Sequence, residues 1–133
     1  MGVPLVVTGP GVKRGLASDA LASHIDVGAT FLDYAGVAKP KEMESRSLRP
    51  VLEGKSTRHR EVLLSGLNQW RMAWDGRYKL ITGYDLTRVR KGKAPETPSP
   101  PPVLFDLESD PLENRNIADR APEQVKRLRQ ALG

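Results

Sequence analysis

The 133-residue sequence contains no cysteine, which removes disulfides, thiolate catalysis and cysteine-based metal sites together and leaves the redox compartment open. Aromatic residues make up only 5%, so a core has to be assembled mostly from Val, Leu, Ile and Ala. Long apolar runs are missing too. The stretch that begins at Val3 is closed by Gly9-Pro10-Gly11, too short for a signal peptide or a membrane span, and no membrane insertion is expected. Histidine is scarce: His24 and His59 stand 35 positions apart, with neither triad partners nor metal-ligand spacing. His24 is expected at a helix entrance, and His59 as an exposed polar side chain before a strand.

What is present is proline, glycine and a modest positive charge. With 11 Pro and 12 Gly, turns and irregular segments should be frequent. The 21 Lys and Arg against 16 Asp and Glu give a formal charge of +5, spread over several segments. Nucleic-acid binders concentrate charge into a stripe with aromatics between, and this chain does not, so a nucleic-acid partner is not expected. Its most basic stretch, Arg88 to Lys93, runs into a proline-rich segment.

Val3 to Thr8 reads as a strand buried on both faces, the pattern of a parallel, covered sheet. From Asp26 as N-cap to Gly36 as C′ residue the sequence predicts a helix, with Val27, Phe31, Tyr34 and Ala35 on the face that meets that sheet. Lys39 to Gly54 has apolar anchors but no sustained period, and reads as a connector. Glu61–Ser65, Trp70–Trp74 and Arg77–Thr82 are strand candidates. The Asp75-Gly76 step predicts a two-residue type I′ hairpin, pairing Trp74 with Arg77, Met72 with Lys79 and Trp70 with Ile81 on one packed face. Gly83 to Pro102 is a long loop, Val103–Leu107 a further strand, and Pro122 opens a last helix with Val125, Leu128 and Leu132 as its buried stripe.

Few residues suggest chemistry. Asp106, Glu108 and Asp110 open like an EF-hand loop, but Pro111 and Ile117 stand where glycine and glutamate are needed, so a turn with solvated carboxylates is expected. Ser65-Gly66 lacks the glycine of a nucleophile elbow and reads as a strand end. Trp70 and Trp74 suit either core packing or stacking on a sugar, and Arg88, Arg90 and Lys91 either a solvated loop or the steering of a sulfated polymer. These five are the candidate substrate-contacting residues.

The order of several segments resembles the sulfatase family over nearly the whole chain. Val3 to Gly11 is similar to the strand and Gly-Pro-Gly loop late in the sulfatase catalytic domain, and His24-Ile25-Asp26 through Asp33-Tyr34-Ala35-Gly36 to the helix after it. Ser47-Leu48-Arg49-Pro50-Val51-Leu52-Glu53-Gly54 resembles the family's Ser-Leu-x-Pro-x-Leu-x-Gly connector. Arg77 to Ile81 and, most specifically, Leu104 to Asn116 resemble the C-terminal subdomain. Ala29 departs from the proline usual in the helix's first turn, and the proline-rich loop is longer than typical, so the subfamily and substrate stay open.

The resemblance implies an α/β fold, here an α+β piece. Residues 1–54 would be the last strand and helix of an alkaline-phosphatase-like domain. Residues 55–133 would be a small antiparallel sheet with a C-terminal helix, bordering the active-site cleft of the intact enzyme. It also implies a Ca²⁺ and a formylglycine made within Cys/Ser-x-Pro-x-Arg, a motif this sequence lacks. No catalytic or metal-binding residue is therefore assigned here, and the expected partners are a preceding catalytic portion and a sulfated carbohydrate. Intact relatives are often exported. The rival readings are a stand-alone carbohydrate-binding or interaction module, and the tail of a phosphate or phosphonate ester hydrolase.

Overall fold

The computed structural model describes residues 3–67, 69–83 and 100–133. Two compact units divide the chain, Met1–Arg60 and Glu61–Gly133.

In the second unit four strands, β1 (Leu63–Leu67), β2 (Trp70–Trp74), β3 (Tyr78–Thr82) and β4 (Val103–Asp106), form an antiparallel sheet in the order β1-β2-β3-β4. Side chains alternate across a strand, so the cross-strand row Ala73, Leu80 and Leu104 lies on one face. All three are fully buried, together with Leu128 of the last helix (Pro122–Leu132). Val125 and Leu132 pack around this core, completing the expected stripe at helical spacing. Between β4 and the helix, Asn116 Oδ1 accepts the N–H groups of Leu104 and Ala118 at 3.0 Å each, while Ile117 N–H donates to the Leu104 carbonyl at 2.9 Å. One amide side chain thereby fastens the connecting segment to the sheet.

The hairpin register differs from expectation. Trp74 lies opposite Lys79 and Met72 opposite Ile81, a slip of two residues that keeps each side chain on its predicted face. The cause is Asp75, whose carboxylate accepts from Arg77 N–H at 2.9 Å and Tyr78 N–H at 2.7 Å, so four residues, Asp75 to Tyr78, lie between the last paired residues Trp74 and Lys79. A type I′ turn needs positive φ at both central residues, and only Gly76 has it, at +99°. The row with Met72, Trp74 and Ile81 is the sheet's second side; the unit's core is on the other. β1 also begins later than expected, which places Ser65-Gly66 inside the strand rather than at its end.

The first unit is built around helix α1 (Ile25–Tyr34) and the one-turn helix α2 (Arg49–Leu52), which lies in the segment expected to be an irregular connector. Leu48 and Val51 are its buried anchors. Gly36, at φ +68°, ends α1 as expected, with Gly36 N–H on the Asp33 carbonyl and Val37 N–H on that of Leu32, the paired bonds of a Schellman motif.

Three expectations fail in this unit. Asp26 is not the N-cap: His24 holds that position without a side-chain bond, and Asp26 sits in the first turn. The buried positions of α1 are Asp26, Ala29 and Thr30, whereas Phe31 is 70% exposed and Ala35 is also open to solvent. Val3 to Thr8 pairs with no strand among the described residues and is exposed throughout. A run that is apolar on both sides needs a sheet around it, and the described residues of the first unit form none. The expected loop 83–102 lies mostly outside the described residues, which resume at Pro100.

Leu128→Ala is expected to destabilise the second unit by about 2–5 kcal/mol, the cost of a cavity at a fully buried leucine. Leu67→Ala, 74% exposed, is expected within about 0.5 kcal/mol of wild type. Urea unfolding followed by tryptophan fluorescence measures both.

Candidate functional site

The most elaborate polar arrangement surrounds Asp26, whose side chain is wholly removed from solvent. Its oxygens accept from Ser23 N–H at 2.9 Å, Arg46 N–H at 2.9 Å, Arg60 Nε at 2.7 Å and a second Arg60 nitrogen, Nη2. His59 Nε2 lies 3.1 Å from Oδ2. The Ser23 bond ties the residue before the N-cap to the first turn of α1. Thr30 Oγ1, one turn on, donates to the Asp26 carbonyl at 2.7 Å and accepts from Leu48 N–H at 2.8 Å. Helix, connector and the 59–60 segment thus converge on one carboxylate.

Burial, the largest single influence, favours the neutral acid at Asp26. The Arg60 guanidinium, the two backbone N–H groups and His59 together outweigh it, and the carboxyl is held well below the usual range. Arg60 is raised in turn, chiefly by Asp26. Five donors on two oxygens leave no lone pair for a metal or a substrate proton, so Asp26 fastens the fold and does no acid–base work. His59 was expected to be exposed, yet its side chain is 6% accessible because the carboxylate draws it in. No spacing pattern joins position 26 to 59 and 60, and the sequence carries no signal for this pairing.

The carboxylates after β4 are also taken. Arg77 holds Asp106 in a two-pronged pair, Nε at 3.1 Å and Nη2 at 2.8 Å, and reaches Glu108 at 3.0 Å. Arg77 keeps the Asp106 carboxyl below its ordinary range. Asp110 is buried and accepts from Arg115 N–H at 2.8 Å, which lowers its pKa likewise. The expected solvated turn is therefore a set of paired acids, with only Glu108 open to water. No cluster of three or more His, Asp or Glu with metal-holding geometry occurs among the described residues. The described residues therefore offer no cluster fit for Ca²⁺, and the sequence has no Cys/Ser-x-Pro-x-Arg motif in which a formylglycine could form.

Of the five candidate substrate-contacting residues, Trp70 and Trp74 are half-buried on β2. Trp74 Nε1 is shielded from solvent and has no hydrogen-bond partner among the described residues. Arg88, Arg90 and Lys91 lie outside the described residues. A mainly apolar groove of about 410 Å³ lies along the last helix, lined by Pro102, Ala118, Pro122 and Val125 together with Lys126 and Arg129. Nothing in the sequence pointed to it.

A family profile described as "N-sulphoglucosamine sulphohydrolase, C-terminal" matches residues 1–132. Arylsulfatase K of Rattus norvegicus is 34% identical, aligned over 98% of this chain and 23% of its own length. A structure solved in complex with its substrate D-glucosamine-2-N,6-O-disulfate superposes with a TM-score of 0.72 at 25% identity, over 91% of this chain and 25% of that one. A phosphonate monoester hydrolase from Silicibacter pomeroyi shares the fold, with a TM-score of 0.71 at 24% identity, over 94% of this chain and 27% of that one. The chain spans about a quarter of the length of the relatives it matches.

Asp26→Asn leaves Arg60 without its counter-charge, and α1 is expected to open about 3–5 kcal/mol more easily at pH 7. A carboxyl depressed by folding stabilises above its unfolded value, about pH 4, and loses that contribution as pH falls further. The gap between wild type and variant should therefore close in acid. Amide exchange of α1 at pH 7 and, after correction for intrinsic rates, at pH 3 measures it.

Proposed function

The chain belongs to the N-sulphoglucosamine sulphohydrolase C-terminal family, and from that premise we propose that it completes a sulfuric ester hydrolase whose nucleophile and metal lie in a preceding catalytic portion. The observation that carries this reading is the family match along residues 1–132, within relatives about four times as long. The chemistry of the chain agrees with a supporting role. It has no cysteine and no Cys/Ser-x-Pro-x-Arg motif, and Asp26, Asp106 and Asp110 are committed to internal partners. Ca²⁺ would polarise the sulfate oxygens and formylglycine would attack, both held by the preceding portion. What this chain contributes is a rigid sheet at the cleft.

On that sheet Trp70 is the better stacking residue for a sulfated sugar. It opens β2 next to the β1–β2 turn, whereas Trp74 has its indole nitrogen buried. Arg88, Arg90 and Lys91 would steer the anionic substrate. The fold likeness to a phosphonate monoester hydrolase supports a second reading, in which the same architecture handles phosphonate esters.

The test is the protein expressed with its in-frame upstream coding sequence and assayed on 4-nitrophenyl sulfate, glucosamine sulfates and phenyl phosphonate monoesters. Sulfate release is expected, with Trp70→Ala raising KM for the sugar sulfate about tenfold, the equivalent of roughly 1.4 kcal/mol of stacking, and leaving that for the aryl sulfate unchanged. Turnover of phosphonates alone would establish the second reading. An extended protein inert on all three would overturn both.

A further inference from the structure

We propose that the outer edge of β1 is a self-association site, where a second copy of this chain adds its own β1 antiparallel and doubles the four-stranded sheet. The inference does not draw on the proposed function. Its starting point is the contrast between the two edges of the sheet. At β4 the edge is closed from within, because Leu104 N–H donates to Asn116 Oδ1 at 3.0 Å and the Leu104 carbonyl accepts from Ile117 N–H at 2.9 Å. Those backbone groups therefore point away from β3. In an antiparallel ladder hydrogen-bonded and open pairs alternate, so along the row Leu104, Leu80, Ala73, Leu64 the Leu80–Ala73 pair is bonded and Leu64 directs its N–H and C=O outward. Gly66, two residues on, does the same. Among the described residues neither has a backbone partner on that side.

The strand also lacks the devices that keep a native edge from pairing. Leu63–Leu67 carries no charge and no proline, where an exposed edge is ordinarily guarded by lysine, proline, a bulge or a cover. Its open side chains are apolar instead, with Leu64 55% and Leu67 74% exposed. The last helix packs chiefly on β2 and β3, and Leu64 is left uncovered at the end of the core row.

The occupant follows from the strand's match to itself. A two-fold axis through Ser65 sets Leu64 of each copy opposite Gly66 of the other, and every outward N–H and C=O of these two residues then finds a partner. On the helix side each Leu64 faces a residue without a side chain and lies diagonal to its own mate, within reach for leucine. On the other side Leu63 stands opposite Leu67, and Ser65 opposite Ser65. Every pair across the axis is apolar or uncharged, a register that an unrelated extended peptide does not offer on both faces. Gly66 itself is fixed by its own hairpin, since a Cβ there would lie 2.6 Å from the Trp70 carbonyl oxygen.

Sedimentation equilibrium of the 133-residue chain over a concentration series tests this. The contact is small, so a dimer that dissociates on dilution is expected, with no higher species because an isologous pairing of one open edge closes on itself. Leu64→Lys and Leu67→Lys alter opposite faces of β1, and each should weaken association by about tenfold or more. At a concentration where the wild type is dimeric, its Gly66 amide should exchange about tenfold or more slowly than that of either variant. The Ser65 amide, which faces β2, and that of Leu128 should be equally protected in all three proteins, which excludes misfolding as the cause. A chain that stays monomeric, growth beyond the dimer, or variants that associate like the wild type would each overturn the proposal. So would a Gly66 amide that is already protected in the Leu64→Lys protein, the sign that another part of the chain closes this edge.

Discussion

The first 60 residues depend on one buried charge. Asp26 brings a carboxylate into an environment without water, and such a group is tolerable only when donors replace the water it lost. Ser23, Arg46, His59 and Arg60 supply them from three stretches of chain, so satisfying the charge fixes the entry to α1, the path of the connector and the position of residues 59–60. The apolar contribution is small by comparison, since the large apolar side chains Val3, Val6 and Phe31 are open to solvent while Ala29, Leu48 and Val51 are buried. The unit is organised by a polar hub, with only a few small and medium apolar side chains buried beside it.

The second unit obeys the opposite rule. Among the described residues its sheet and helix close a leucine-rich core without a buried charge pair, and the ion pairs there are more exposed: Arg77 with Asp106 and Glu108, Arg127 with Asp75, Lys79 with Glu113. Pairs of that kind contribute little stability but fix turns and registers, as Asp75 does at the β2–β3 loop.

Much of the second unit was legible in the sequence because its information is local. The β2 boundaries, the Pro122 start and the Val125–Leu128–Leu132 stripe all follow from periodicity and punctuation within a dozen residues. The hairpin register was not, because Asp-Gly allows several loop lengths and the choice fell to a carboxylate capturing two N–H groups. Asp26 was recognisable as a helix-start residue, but its partners 33 and 34 positions away obey no spacing rule. Val3–Thr8 has the composition of a strand, and composition cannot say whether the neighbouring strands are in the same chain. The same limit applies to the chemistry. The order of short motifs identified the sulfatase family, while no Cys/Ser-x-Pro-x-Arg motif occurs in these 133 positions, and the fold is shared with a phosphonate monoester hydrolase.

The central claim is that this sequence is the closing portion of a longer hydrolase, and the reading frame upstream of Met1 tests it most directly. The account predicts a continuous frame encoding Cys/Ser-x-Pro-x-Arg and the Asp, Asn, Lys and His residues of a sulfatase centre. An in-frame stop codon with a functional translation start immediately before Met1 would contradict it, and would leave a protein that folds around Asp26 without a catalytic half to complete.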